Sequence, residues 1–136
     1  YLSIVIDSDK KSPQARLNET KRRVQESFDK DAADGFAWIT EGYTIENYVP
    51  REILEEAVGE VHPRATQEWN GGKWQNPLTL KSRSGASQSP DKNRIARVVC
   101  EKWVDPPAPK THLGRMIKKC VSFIHEANRT SASPVK

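Results

Sequence analysis

The chain opens on an apolar, β-branched run, Tyr1-Leu2-Ser3-Ile4-Val5-Ile6, which stops abruptly at Asp7-Ser8-Asp9-Lys10-Lys11. A short unbroken apolar run that ends in charge reads as a buried strand of an α/β sheet leading into a functional loop. Ser12-Pro13 offers an N-cap and a first-turn proline, so a helix is expected from there to about Lys30, with Leu17, Val24 and Phe28 as its apolar stripe. Asp34-Gly35 ends that helix, and Phe36-Ala37-Trp38-Ile39-Thr40 is the second predicted strand. Strand, helix, strand in this order implies parallel pairing through a right-handed crossover. Parallel strands share a carboxyl end, the edge at which open α/β sheets bind ligands.

The pattern then changes. Pro50 opens a short helix containing Ile53, Leu54, Ala57 and Val58. Periodicity fails over residues 59–90, which are expected to form a long irregular insertion, and segments of that length are commonly functional. Ser89-Pro90-Asp91 restarts a helix with Ile95, Val99 and Trp103 on one face, and Pro106-Pro107-Ala108-Pro109 breaks it. A last helix from about Thr111 carries Leu113, Ile117, Cys120, Val121 and Ile124 as a predicted core stripe. One domain is expected over residues 1–128, followed by a flexible tail over 129–136.

Composition adds bounds. With 35% apolar and 29% charged residues among 136, the chain is an ordinary globular domain, without the apolar run of a membrane span. A net charge of +4 suits an anionic partner without requiring one. Cys100 and Cys120 match neither a zinc pattern nor a disulfide framework, so both are read as reduced, packed cysteines of a cytoplasmic protein. The chain begins at Tyr1, inside a predicted strand, and is expected to be a piece of a longer polypeptide.

Three features carry chemistry. Asp7-x-Asp9 at a strand end can bring two carboxylates together, and close carboxylates repel unless a hard cation such as Mg²⁺ or Mn²⁺ sits between them. The same pattern also suits an Asx-turn. Glu46-Asn47, after the second strand, adds a third carboxylate and an amide on the same edge; taken alone such a Glu is ordinarily solvated. Lys92 opens a helix, where the dipole mildly disfavours a cation and a phosphate would welcome one. Beside these, Trp69, Lys73, Trp74, Lys81 and Arg83 make a basic, aromatic segment that can stack on bases or follow a nucleic-acid backbone, or simply pack against the protein. His62, His112 and His125 have no metal-ligand spacing, and Lys21-Arg22-Arg23 reads as a solvated helix face.

Together Ile4-Val5-Ile6-Asp7-Ser8-Asp9-Lys10, Thr44-Ile45-Glu46-Asn47-Tyr48-Val49-Pro50 and Lys92-Asn93-Arg94-Ile95-Ala96 resemble the C-terminal Toprim nuclease domain of the overcoming-lysogenization-defect (OLD) family. The resemblance implies a partial Toprim, Rossmann-like parallel sheet flanked by helices, with C-terminal helices after it. It implies Asp7, Asp9 and Glu46 as metal ligands and Lys92 as the catalytic, charge-offsetting lysine. It also implies two-metal hydrolysis of DNA phosphodiester bonds with Mg²⁺ or Mn²⁺. Ser8 and Asn47 are accessory candidates, and Lys73, Trp74, Lys81 and Arg83 are candidate nucleic-acid contacts. The family's further acidic residue would lie upstream of Tyr1. Its ATPase would be a preceding domain or a partner subunit, because no Walker motif occurs here, and a homo-oligomer would form through the longer protein. Two other readings remain open: a haloacid-dehalogenase-like phosphatase with Asp7 as nucleophile and Asp9 as general acid, and a non-catalytic module that binds nucleic acid or a partner.

Overall fold

The computed structural model describes residues 1–30 and 35–131. It is a mixed α/β chain whose elements run β1 (Leu2–Ile6), α1 (Glu19–Lys30), β2 (Gly35–Ile39), a 3₁₀ turn (Ile45–Tyr48), α2 (Arg51–Val61), β3 (Thr66–Gln67), β4 (Leu80–Lys81), β5 (Ser87–Gln88), α3 (Lys92–Lys102) and α4 (His112–Ser131). They gather into two compact units. The first holds Tyr1–Ile6, Asn18–Ile39 and Pro106–Lys136; the second holds Asp7–Leu17 and Thr40–Asp105. Among the described residues no helix is long and apolar enough to cross a membrane.

In the first unit β1 and β2 pair in parallel, from Leu2↔Gly35 to Ile6↔Ile39, as strand–helix–strand order predicts. The parallel sheet has two strands among the described residues. Phe36 and Trp38 alternate along β2 and are buried, with the Phe36 ring edge-on to Phe123 of α4 at 5.6 Å. The expected burial of Tyr1 to Ile6 is corrected: Leu2, Ile4 and Val5 are exposed. Apolar, β-branched composition sets strand propensity, but cover depends on neighbours, and β1 has one paired strand. The α4 stripe is corrected likewise, since Ile117, Val121 and Ile124 are exposed while Phe123 turns inward.

Helix α1 begins at Glu19, later than Ser12-Pro13 suggests. Ser12 closes a separate turn, its backbone oxygen and hydroxyl both accepting from the Ala15 N–H. Asn18 is the real cap: its side-chain oxygen accepts from the Thr20 N–H at 2.9 Å. Leu17 therefore precedes the helix, and Val24 and Phe28 are the apolar residues of its half-buried face. The expected stop at Asp34 and the end of the tail beyond Ser131 lie outside the described residues.

The second unit holds the larger core. Leu54, Ala57, Val58 and Val61 recur at helical spacing on α2 and pack with Ile95 and Val99 of α3 and with Leu78 and Leu80. Lys102 of α3 pairs with Glu56 and Glu60 of α2 at 2.7 and 3.5 Å. Residues 59–90 are less irregular than expected. They include the end of α2 and a small antiparallel sheet in the order β3-β4-β5, and Pro77, Leu78 and Leu80 are buried. Strands of two residues are too short to leave a period in sequence. His62 ends α2, and its Nε2 accepts from the Asp91 N–H at 2.9 Å, fixing the residue that caps α3.

Candidate functional site

Registered partners Ile6 and Ile39 end the two parallel strands, so the chain leaves that edge twice, into the loops carrying Asp7 and Glu46. These loops belong to the second unit and are stitched together by buried polar contacts. The Ser8 N–H donates to the Thr40 hydroxyl at 2.9 Å, and the Ser8 hydroxyl donates to the Gly42 carbonyl at 2.6 Å. Ser8 and Thr40 are 2% and 3% exposed, so Ser8 serves the scaffold rather than presenting a hydroxyl to a ligand. A methyl group on Gly42 would lie 2.8 Å from both Asn47 Cβ and the Lys73 carbonyl, and only glycine lets the backbones approach this closely.

Asp9 adopts a left-handed conformation, φ +53°, which Asp tolerates better than most residues, and its N–H donates to the Tyr43 carbonyl at 2.9 Å. That twist aims Asp9 outward, where it is exposed, while Asp7 stays half-buried. The alternation that would have placed both carboxylates together ends where the strand does. One Asp7 oxygen accepts from the Ile45 N–H at 2.7 Å, which docks Asp7 on the 3₁₀ turn bearing Glu46. Asn47 holds that turn in place: Oδ1 accepts from the Thr44 N–H at 2.7 Å, and Nδ2 donates to the Gln75 carbonyl at 3.0 Å.

Glu46 has an 83% buried side chain (17% exposed), and its Oε1 meets Lys92 Nζ at 3.0 Å; Lys92 remains 59% exposed. Oε2 is buried and has no hydrogen-bond partner. Burial alone would raise the Glu46 carboxyl, but the Thr44 hydroxyl, the Glu46 backbone and the Lys92 ammonium outweigh it and hold the group below its ordinary range. Asp7 goes the other way. Desolvation lifts it despite the Ile45 N–H, and the negative charges of Glu46 and Asp9 lift it further, against Lys92. The Asp7, Glu46 and Lys92 charges thus act on one another within a single polar corner.

No three His, Cys, Asp or Glu side chains form a ready metal-ligand group among the described residues. The other candidates lie apart from a shared centre. Lys73 pairs with Glu41 at 2.8 Å and stands 5.5 Å over the Trp74 ring, and Lys81 is 3.9 Å from Glu68. Trp69 packs against the core and donates to the Gly72 carbonyl, while Arg83 is exposed. Cys100, expected to be packed, is exposed on α3, and Cys120 is half-buried. His62, read from sequence as a surface or helix-end residue, does end α2; sequence reasoning missed Thr40 and Gly42, although a glycine flanked by Glu41 and Tyr43 is a readable signal for a close approach. Compared with protein-family models, with curated proteins and with solved structures, the chain matches none.

Proposed function

We propose that the second unit carries the acidic, cation-binding part of a Toprim-type nuclease centre, acting on DNA within an OLD-like protein that also has an ATPase domain or partner subunit. One observation carries this reading: the Asp7 loop docks through the Ile45 N–H on the turn that bears Glu46, and Lys92 reaches Glu46 from a third element. Mg²⁺ characteristically uses one or two carboxylates and completes its shell with water and substrate phosphate. Asp7 and the orphaned Oε2 of Glu46 suit that requirement, as hard oxygens that gain from a nearby positive charge. They would hold the cation, with the Asp9 charge acting on Asp7 beside them.

A bound Mg²⁺ or Mn²⁺ would supply Lewis acidity toward water and phosphate. The chain's own part is positional. The Ile45 N–H orients the Asp7 carboxylate, and the Asn47 contacts hold the Glu46 turn. Lys92, exposed at the end of its long stem, offsets charge on the scissile phosphate. A phosphatase using Asp7 as nucleophile is the weaker alternative, because that chemistry wants an ionised, unencumbered carboxylate and Asp7 is shifted upward and engaged by a backbone N–H.

Calorimetric titration with Mn²⁺ tests the binding step: wild type binds, and Asp7→Ala and Glu46→Ala do not. In nicking of supercoiled plasmid, Lys92→Ala lowers the rate about tenfold, or about 1.4 kcal/mol of transition-state stabilisation. Equal Mn²⁺ binding by all variants would overturn the reading. Turnover of a phosphate monoester with no nicking would favour the phosphatase, and nucleic-acid binding without either activity would favour the non-catalytic module.

A further inference from the structure

Within the second unit, a cleft of about 310 Å³ opens beside the Glu46–Lys92 pair. Its floor is aliphatic: Leu54, Leu78, Ile95 and Val99 all line it and all are buried. Its rim is different. Lys92, Asn93, Ala96 and Cys100 stand along one side of α3 and are exposed. An apolar floor with a few polar groups on one side is the general form of a small-ligand site, and the volume lies at the lower end of that class. It far exceeds the space one water needs, and its floor offers water few hydrogen bonds.

We propose that this cleft receives one unstacked nucleobase of a nucleic-acid strand, next to the place where Lys92 meets phosphate. The inference rests on the nuclease reading for Lys92 and adds the state of the substrate. A base is flat and apolar on its faces, which suits aliphatic walls, and it is polar at its edge. Asn93 offers both a donor and an acceptor to such an edge. A base enters a concave protein cleft only after leaving its stack, so the strand is engaged with that base turned out. Lys92, adjacent in sequence to Asn93, places a cation where the attached phosphate would lie. An apolar protein side chain would fill the floor equally well, but it would offer nothing to the exposed Asn93 amide on the rim.

The test uses the whole chain with chelator present, so that nothing is cut. A short oligodeoxythymidylate, its abasic analogue and thymidine are titrated while the methyl signals of Leu54, Leu78, Ile95 and Val99 are followed by NMR. The base-bearing strand is expected to shift these methyls and to bind about tenfold more tightly than the abasic strand, the scale set by stacking of one base. Ala96→Phe fills the cleft from an exposed helix position and should remove that advantage without changing abasic binding or the melting temperature. Equal binding of the two strands, indifference to Ala96→Phe, or binding by neither overturns the proposal. The two readings separate cleanly. If both strands bind equally yet need Lys92, the phosphate role survives and the base site falls. If base-dependent binding ignores Lys92→Ala, the base site survives and the phosphate role falls. Methyl shifts produced by an apolar peptide but by no oligonucleotide would reassign the cleft to a protein partner.

Discussion

The two units use similar amounts of apolar sequence in opposite ways. In the second, residues from α2, α3 and the 77–80 segment interlock into one cluster of eight buried side chains. In the first, Phe36 and Trp38 are the buried hydrophobics among the described residues, while Leu2, Val5, Val121 and Ile124 face outward. The difference is one of convergence. Several elements supply the second core, so each apolar stripe finds a facing stripe, whereas β1 is one of two strands in its sheet among the described residues. The acidic corner and the cleft both belong to the better-packed unit. A site needs carboxylates and an ammonium held in place, and a close-packed core is what holds them.

The contrast is most sharply tested by Leu54→Ala. Leu54 has no exposed surface, so the substitution leaves a cavity and should cost about 2–5 kcal/mol in denaturant unfolding. A loss under 1 kcal/mol would mean that this core is loose. Next in size is His62→Ala, which leaves the Asp91 N–H without its acceptor and should cost about 1 kcal/mol by the same measurement. His62→Gln, which can restore an acceptor, should recover part of the loss.

Removing charge at the site acts through pH. Glu46 titrates below its ordinary 4.5 in the fold, so it contributes stability that is present above 4.5 and lost as pH falls through its folded value. Asp7 titrates above its ordinary 3.8, so it favours the fold less as pH rises through the interval between 3.8 and its folded value. Lys92 lowers both groups, and Lys92→Met should therefore raise both carboxyl midpoints in an NMR titration. At neutral pH the loss of stability should be about 1 kcal/mol or less, trimmed by the exposure of Lys92. An unchanged Glu46 midpoint would show that the pair does not persist in solution. The smallest effect belongs to the first unit: Ile124→Ser, at a half-exposed position on α4, should change stability by no more than about 0.5 kcal/mol. A cost above 2 kcal/mol there would mean that the stripe is covered in solution.

Helices were the legible part of this sequence. The α2 and α3 faces follow from Leu54, Ala57, Val58, Ile95 and Val99 at helical spacing, and the parallel pairing of β1 with β2 follows from element order. Helix starts were less legible where two caps competed, as Ser12 and Asn18 did. Strands of two residues left no signal at all. At the site, the loop meeting of Asp7 with the Glu46 turn was readable from topology, as was Lys92 at a helix start. The outward turn of Asp9 was not, because it depends on a single left-handed residue and one contact to Tyr43. The cleft was unreadable too, since its floor joins residues from three separated segments.

The stitching of the acidic loops bears on how quickly their amides exchange with solvent. Ser8, Asp9, Tyr43 and Ile45 lie outside any strand or α-helix, yet each N–H donates to a fixed oxygen. Two of those oxygens belong to buried or half-buried side chains, Thr40 and Asp7. Amides in loops ordinarily exchange fast, because opening them costs little. Here opening the Ser8 amide would strand the buried Thr40 hydroxyl, so that amide should exchange at a rate set by the second core. The Ile45 amide has a further property: its acceptor is the carboxylate expected to bind the cation. Any ligand that draws Asp7 away must release the Ile45 hydrogen, which makes that one proton a clock for occupancy of the site.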